Sequence, residues 1–175
     1  MGSKKLSKGS DDYTVVVVDQ TRKGVKTALG YGWFKQGERP TIDVSGGWQT
    51  AKLLGAVTET GESRYFRCSS NFTSEVTIHL LQALQREFGE KLVVVLDNAP
   101  YFASKAVTEF VENSPIELCY LPRYSPHLNP VEECWRQLTS VLKNRLFEDL
   151  DDLHQAISNA LDTITPPNVF NYLFP

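Results

Sequence analysis

Apolar and polar positions along the chain follow two kinds of pattern, and each kind predicts a different element. Two near-continuous apolar runs, TVVVVDQ (residues 14–20) and KLVVVLD (residues 91–97), are typical of strands buried on both faces of a sheet. Further strands are predicted for AKLLGAVT at 51–58, for its hairpin partner RYFRC at 64–68 and for IELCYL at 116–121. The glycine- and aromatic-rich segment 28–40 predicts one more strand with a turn after it.

Helical patterns lie between and after these strands. Thr73 is a candidate N-cap and Gly89 a stop for a helix over residues 73–89. Its apolar stripe consists of Val76, Leu80, Leu81 and Leu84. A short helix is predicted at 104–113, another from Pro130 and a last amphipathic one over 150–164. This order predicts an α/β domain with a mixed sheet, in which strands joined through helices run parallel.

The stretch SPHLNPVEECW (residues 125–135) places two adjacent glutamates at a predicted helix start. Asn129 is a favoured N-cap, and Pro130 suits the first helical position. Glu132, three residues after Asn129, completes a pattern like a capping box. On this stretch alone, helix capping is a sufficient explanation of Glu132.

Each of the two buried apolar runs ends in an aspartate, Asp19 or Asp97. Capping or turn formation explains either residue alone. If the two strands are parallel neighbours, however, the two carboxylates lie side by side, where they repel each other and are costly to bury. A divalent cation removes that cost, and oxygen-only ligation favours Mg²⁺ or Mn²⁺ over zinc. The matched pair therefore favours a metal site at this edge of the sheet.

Helical phase distinguishes the two glutamates that follow Pro130. The predicted buried stripe of this helix consists of Val131, Trp135, Leu138 and Leu142. Glu132 lies about 85° from the centre of the stripe, where its side chain could reach a site at the sheet edge. Glu133 lies nearly opposite the stripe and is predicted to point to solvent. Arg136, one turn after Glu132, is a candidate partner for it.

Composition and charge exclude fewer classes of function than the pattern of apolar and polar residues does. The 175 residues carry a net charge of −3, which is not typical of a nucleic-acid binder. The charge is uneven, because eight basic residues outnumber four acidic ones between Thr21 and Arg67. Three cysteines without CxxC spacing indicate neither a disulfide framework nor a zinc site. No apolar run is long enough to span a membrane.

Together these segments resemble a known family of enzymes. Asp19, the segment LDNAPYF around Asp97, and YLPRYSPHLNPVEECW with Glu132 are similar to the DDE transposases of the IS630/Tc1/mariner group. The 34 residues between Asp97 and Glu132 match the DD34E spacing of that group, and GWFKQGERP resembles a segment of IS630-type sequences. The likeness covers nearly all of the chain from Asp19 onward.

The resemblance implies a fold, a reaction and its cofactors. The fold is RNase H-like, an α/β fold with a five-stranded mixed sheet flanked by helices. The reaction is cleavage of phosphodiesters at transposon ends, followed by transfer of the 3′-hydroxyl into target DNA. Two divalent cations, Mg²⁺ or Mn²⁺ as a substitute, support such in-line displacements. The expected ligands are Asp19, bridging both ions, with Asp97 on one ion and Glu132 on the other.

The implied partners are the terminal inverted repeats of a transposon and the target DNA, with a homodimer as the active complex. Candidate phosphate contacts are Arg22, Lys23, Lys26 and Arg123. The expected location is the cytoplasm, at chromosomal or plasmid DNA (or the nucleus in a eukaryote), with no membrane association.

Two features depart from the family pattern. Many relatives have Asp-Glu at the first acid, whereas this chain has Asp19 followed by Gln20. Relatives also carry N-terminal helix-turn-helix domains, which are not found in this chain. We therefore expect residues 1–12 to be a disordered or vector-derived tail and residues 13–175 to be an RNase H-like catalytic domain.

Three alternatives remain at this point. Another RNase H-like nuclease, such as a structure-specific endonuclease or an RNA–DNA hybrid nuclease, would share the three acids. A truncated or domesticated remnant would use the same domain only to bind DNA or protein. The third alternative is an α/β domain in which these acids only cap helices.

Overall fold

Among the described residues, the helices and strands follow one another in the order that the sequence pattern predicts. A computed structural model describes residues 13–26, 29, 35–37, 41, 47–169 and 171. The strands are β1 (Thr14–Gly24), β2 (Thr50–Thr58), β3 (Ser63–Cys68), β4 (Leu92–Leu96) and β5 (Ile116–Tyr120). The helices are α1 (Ser74–Phe88), α2 (Lys105–Glu112), α3 (Val131–Leu142) and α4 (Leu150–Leu161), with a single 3₁₀ turn at Pro126–Leu128.

The strands form one five-stranded mixed sheet in the order β3-β2-β1-β4-β5. β1 pairs antiparallel with β2 and parallel with β4, and β4 pairs parallel with β5. The predicted mixed sheet, with parallel strands joined through helices, is confirmed. The two apolar runs β1 and β4 are direct neighbours at its centre.

The predicted end of the first strand is wrong by four residues. Pairing with β4 is recorded only as far as Val17 opposite Val95, whereas pairing with β2 continues to Gly24 opposite Thr50. Because the long β2 supplies backbone partners beyond Asp19, the polar segment after it stays in the sheet. The predicted strand at 28–40 and the predicted tail at 1–12 lie outside the described residues, apart from Leu29 and residues 35–37.

Apolar side chains on the two faces of the sheet form two separate packed layers. On one face, α3 and α4 cover Val17 and Val95. On the other face, α1 and α2 cover Val16 and Val94. Alternation along β1 therefore assigns Asp19 to the α3 side of the sheet, and Gln20 and Arg22 to the α1 side.

Capping residues explain where the helices begin and end. Thr73 accepts a hydrogen bond from the Val76 N–H at 3.3 Å, and Gly89, with φ of 107°, follows the last turn of α1, as predicted.

Of the three cysteines, Cys134 is buried and Cys68 and Cys119 are partly buried, all with free thiols. Within the described part of the chain, no helix is both long and apolar enough to cross a bilayer.

Candidate active site

Asp19 and Asp97 lie at the point where the two central strands separate. The last recorded parallel pair is Val17 with Val95, and each aspartate follows its valine by two residues. Asp19, which is still within β1, therefore lies on the α3 side of the sheet, where Val17 is packed, whereas Asp97 directly follows the last residue of β4. The sequence expectation that the two strand ends bring the acids to one edge agrees with this register.

Glu132 joins the two aspartates in the lining of one cavity of about 390 Å³. The rest of the lining comes from the residues after β4, from the loop after β5 and from Asn129. The loop contributes Leu121, Pro122, Arg123, Tyr124, Ser125 and Pro126. Three separate parts of the chain thus present a carboxylate to the same space.

Asp19 is the buried member of the three, with 5% of its surface exposed. The indole Nε1–H of Trp135 donates a hydrogen bond of 2.9 Å to its Oδ2. Burial, and then the negative charges of Glu132 and Asp97, raise the pKa of Asp19 to about 7, although the Trp135 bond and a backbone bond at Gln20 oppose the shift. Without a neutralising cation, this carboxyl group is therefore partly protonated near neutral pH.

The indole of Trp135 reaches Asp19 because β2 carries a glycine opposite it. Gly55 pairs with Asp19 in the β1–β2 register. A Cβ at Gly55 would lie 2.7 Å from Trp135 Cζ2 and 2.8 Å from Cη2, so any larger residue would displace the ring. The Tyr65 ring packs on another side of the indole, at 5.8 Å between centroids.

Asp97 is held by two hydrogen bonds in the turn that follows β4. Its Oδ1 accepts from the Ala99 N–H at 2.9 Å, and its Oδ2 accepts from Gln20 Nε2 at 3.2 Å. Gln20 Oε1 is buried without a hydrogen-bond partner among the described residues. Asn98, next in the chain, donates to the Leu121 carbonyl at 2.6 Å and ties this turn to the loop after β5.

Glu132 is exposed, and its carboxylate accepts no hydrogen bond from the described residues. Asn129 performs the predicted capping, because its Oδ1 accepts from the Val131 N–H at 3.1 Å. The Asn129 N–H donates to the Pro126 carbonyl at 2.9 Å, so it does not need the Glu132 side chain as a capping partner. The helix itself begins at Val131, one residue after the predicted start.

The prediction that Glu133 points to solvent is wrong. Its side chain is only 23% exposed, and it binds the Arg136 guanidinium through two bonds of 2.6 Å. Gln137 donates to the same carboxylate at 3.2 Å and to the Thr165 carbonyl at 3.0 Å. The segment after α4 thus covers this side of α3, a tertiary contact that helical phase does not reveal. The Arg136 bond lowers the pKa of Glu133.

The four candidate phosphate contacts have different surroundings. Arg123 lines the acidic cavity. Arg22 lies 5.4 Å from the centre of the Phe72 ring, and Lys26 lies 6.0 Å from that of Trp48. Lys23 is half-buried and donates to Thr139 Oγ1 at 2.7 Å, and burial lowers its pKa while Glu132 opposes the shift.

The chemistry of these donors fits a hard divalent cation. All three candidate ligands are carboxylates, the preferred ligands of Mg²⁺ and Mn²⁺, and a bound cation would relieve the repulsion that raises the pKa of Asp19. Among the residues described, however, no three acidic, histidine or cysteine side chains are already arranged to hold an ion. Asp97 and Glu132 would have to rotate toward Asp19, and no hydrogen bond from the described residues to the Glu132 carboxylate opposes this.

Sequence reasoning missed the residues that orient the acids. The apolar stripe predicts a core position for Trp135, which is correct for its ring but does not reveal its Nε1–H as a donor to Asp19. No sequence pattern predicts that Gln20 donates to Asp97 or that Gly55 makes room for the indole. A buried strand glycine is the one available signal, since it often marks close approach of another group.

Comparison with known proteins gives several matches. A family model described as DDE superfamily endonuclease matches residues 14–154. An "Insertion element IS630 uncharacterized 39 kDa protein" from Shigella sonnei is 23% identical over 168 residues, which is 93% of this chain and 49% of that protein. The "Transposable element Tcb2 transposase" from Caenorhabditis briggsae is 32% identical over 84 residues, 43% of this chain and 31% of that protein.

Solved structures of Mos1 transposase share the fold. A paired-end complex with the left transposon end has a TM-score of 0.69 at 16% identity, covering 91% of this chain and 51% of that chain. The Mos1 mariner catalytic domain has a TM-score of 0.59 at 15% identity, covering 91% and 73%. The predicted RNase H-like fold is thereby confirmed. The chain spans about half the length of the IS630 protein and less of the Tcb2 transposase.

Proposed function

The chain belongs to the DDE superfamily endonucleases, and we propose that it is the catalytic domain of an IS630/Tc1/mariner-type transposase. Its reaction would be metal-dependent cleavage of phosphodiesters at transposon ends, followed by transfer of the 3′-hydroxyl into target DNA. The observation that carries the proposal is that Asp19, Asp97 and Glu132 line one cavity. Asp19 is buried there, and the negative charges of the other two raise its pKa further.

Divalent metal use follows from the family, and we assign the ions to these three carboxylates. Asp19 would contact both of two Mg²⁺ or Mn²⁺ ions, with Asp97 on one and Glu132 on the other. Mos1 structures of the same fold include complexes with Mn and with Mg, which supports this assignment. When bound, such ions neutralise charge on the phosphate and make the attacking oxygen a better nucleophile.

The chain's own residues would position the three carboxylates and the phosphate. Trp135 and the sheet hold Asp19 in one position, so that one ligand oxygen is fixed before DNA arrives. Gln20 and the Ala99 N–H orient Asp97, while the Glu132 carboxylate accepts no hydrogen bond from the described residues and can adjust to the ions. Arg123, which lines the same cavity, would contact the phosphate near these acids.

The proposed partners are double-stranded transposon ends and target DNA, at chromosomal or plasmid DNA in the cell. Mos1 structures of this fold include a paired-end complex with a transposon end and a strand transfer complex, which favours DNA and a homodimeric assembly here. Arg22, Lys26 and Arg123 stay predicted phosphate contacts, and Lys23, which is half-buried and donates to Thr139, is the weakest of the four predicted contacts.

Replacing Asp97 with asparagine tests the metal assignment. We expect Asp97→Asn to abolish cleavage of an end-mimicking duplex and strand transfer from a pre-nicked one, both measured with Mn²⁺ on gels. Asn keeps the side-chain volume and the bond to the Ala99 N–H, but removes the charge that a cation needs. Wild-type rates in the variant would contradict the proposal. Faster cleavage of an RNA–DNA hybrid than of DNA by the unchanged chain would instead favour a hybrid nuclease.

A further inference from the structure

Lys23 lies on the part of β1 that continues beyond its parallel partner. Pairing of β1 with β4 is recorded as far as Val17, whereas pairing with β2 continues to Gly24. Alternation along the strand places Lys23 on the same face as Asp19, toward α3. Its ammonium group donates a hydrogen bond of 2.7 Å to Thr139 Oγ1. The extension of β1 therefore adds a contact with α3 beyond the three acids.

This bond is the second of two side-chain bonds that join β1 to α3. The other runs from Trp135 to Asp19, and each bond joins residues 116 positions apart. The bonded residues are therefore four positions apart in both elements, which is about 13 Å along a strand but only about 6 Å along a helix. A single bond would allow α3 to pivot about it. Two bonds at separate points fix the shift of the helix along the strand and its angle to the strand.

The hydroxyl group of Thr139 is oriented to accept from a cation. It donates its own proton to the Trp135 carbonyl, one turn earlier in the helix, at 2.7 Å. A hydroxyl has one proton, and an ammonium group can only donate. With that proton used inside the helix, the lone pairs of Thr139 remain for Lys23. The two groups are thus complementary donors and acceptors.

The ammonium group of Lys23 is held here at a cost in free energy. Lys23 is half-buried, and burial lowers its pKa while the charge of Glu132 opposes the shift. A phosphate contact would not need this burial, and an apolar side chain would fill the position without desolvating a charge. The bond to Thr139 is the one hydrogen bond that this ammonium group makes within the described residues. A role in holding α3 accounts for its burial.

Thr139 and Glu132 share one face of α3. They are seven residues apart, which is within about 20° of two whole helical turns. A restraint on Thr139 therefore also restrains the direction in which the backbone presents Glu132. The Glu132 carboxylate accepts no hydrogen bond from the described residues, so the direction of its helix is what brings it to the cavity.

We infer that Lys23 is a positioning residue for the metal site, which through Thr139 fixes α3 on β1 so that Glu132 and Asp19 reach the same ions. Lys23 acts through the helix and touches neither the ions nor the DNA. The inference rests on the proposed function, and it gives Lys23 a role other than the predicted phosphate contact.

Binding of Mn²⁺ alone to the full chain tests the inference without DNA. The electron paramagnetic resonance signal of free Mn²⁺ measures the affinity directly. Thr139→Val nearly keeps the side-chain volume but removes the hydroxyl, whereas Thr139→Ser retains the hydroxyl. Lys23→Met keeps most of the apolar stem and removes the ammonium group. Lys52→Met is the matched control, because it removes the same charge from a lysine that binds Asn71 at 2.8 Å on an exposed surface.

We expect Thr139→Val to weaken Mn²⁺ binding about 10-fold or more, as for loss of an outer-shell partner, and Thr139→Ser to stay within about twofold. Lys23→Met should weaken binding as well. Its direction is diagnostic, because loss of a positive charge near three carboxylates would by itself strengthen binding of a cation. Added to Thr139→Val, Lys23→Met should cause no further weakening, since the bond is already absent. Lys52→Met should leave the affinity unchanged.

Affinity at the wild-type level in Thr139→Val, or tighter binding in Lys23→Met, would overturn the inference. It would also be overturned if Lys23→Met kept its Mn²⁺ affinity but reduced the salt slope of DNA binding by about 1, as for a lost phosphate contact. If thermal melting shows that Thr139→Val does not fold, Lys23→Met decides the question. Mn²⁺ affinity that depends on Lys23 and Thr139, in a chain that cleaves no DNA, would support the positioning role and count against the proposed function alone.

Discussion

Asp19, Asp97 and Glu132 differ in how firmly the protein holds each of them. Asp19 is buried and bound by an indole N–H, Asp97 accepts two bonds at the surface of the sheet, and Glu132 accepts none from the described residues. The charge on Asp19 is the costly one, since burial and two neighbouring carboxylates act against it. One acid is thus fixed before any ligand arrives, and the other two can move toward it.

The raised pKa of Asp19 predicts a pH dependence of stability in chelated, metal-free solution. The folded state keeps a proton on Asp19 up to about pH 7, while the unfolded state releases it near pH 3.8. The contribution of Asp19 to stability is therefore fully present below pH 3.8 and is lost as pH rises from there through 7, by up to about 4 kcal/mol. Urea unfolding across this range should show a slope that Asp19→Asn lacks, and parallel curves for the two proteins would contradict the assignment.

Glu132 and Glu133 form a natural matched pair for mutation. Glu132→Gln should lower the rate of Mn²⁺-dependent cleavage at least about 100-fold, because it removes a charge that faces the cavity. Glu133→Gln should leave the rate within about threefold, and loss of its surface ion pair with Arg136, whose own side chain is 72% exposed, should cost less than about 1 kcal/mol of stability. Initial rates on one labelled duplex measure both, and comparable losses would show that helical phase selected the wrong glutamate.

At the level of elements, the site depends on how closely α3 approaches β2. Gly55 lies opposite Asp19, and its missing side chain leaves room for the Trp135 indole and for Val131. The helix therefore contributes both an acid, Glu132, and the donor that holds another acid, Asp19. A shift of α3 relative to the sheet would disturb two of the three carboxylates at once.

Substitution of Gly55 by alanine should disturb this contact. The added methyl group would lie 2.7 Å from Trp135 Cζ2, so we expect a loss of about 1–3 kcal/mol in stability and a slower cleavage rate. Gly24→Ala is the control, because a Cβ there meets nothing closer than 3.7 Å, and its effect should stay within about 0.5 kcal/mol. Urea denaturation of both variants provides the comparison. Equal stabilities would mean that the helix shifts without cost.

Sequence patterns predicted most of these elements, for reasons that also explain the exceptions. The runs before Asp19 and Asp97 are apolar on both faces, which only a central strand tolerates, so their place in the sheet was predictable. The extension of β1 to Gly24 was not, because it depends on backbone bonds to β2 and not on side-chain pattern. The partial burial of Glu133 was not predictable either, because it depends on the contact between Gln137 and Thr165, which are 28 residues apart in sequence.

For the whole molecule, the balance of charge sets how DNA would be held. The net charge of −3 includes the three acids of the cavity, so DNA binding requires both local basic residues and cations at the acids. Arg123 at the cavity and Arg22 on the α1 side of the sheet are placed around the same edge. Attraction should therefore be local to this edge and sensitive to ionic strength.

The salt dependence of DNA affinity tests this arrangement. We expect log Kd to rise with log salt, and Arg22→Ala and Arg123→Ala should each reduce the slope by about 1, as for the loss of one phosphate contact. Lys23→Ala should change it much less, because its ammonium group is half-buried against Thr139. Fluorescence anisotropy with a labelled duplex at several salt concentrations measures these slopes. Slopes that do not differ among the variants would contradict phosphate contacts at these arginines.

The bond between Trp135 and Asp19 joins residues 116 positions apart, which has a consequence for how the protein is made. During synthesis from the N-terminus, β1 leaves the ribosome long before β4, its parallel partner, and longer still before α3. Contacts of such high sequence separation form late and slow folding. A nascent chain can form the β2–β3 hairpin and α1 early, but Asp19 stays without its donor until α3 has been translated. Catalytic competence should therefore be among the last properties that the folding chain acquires.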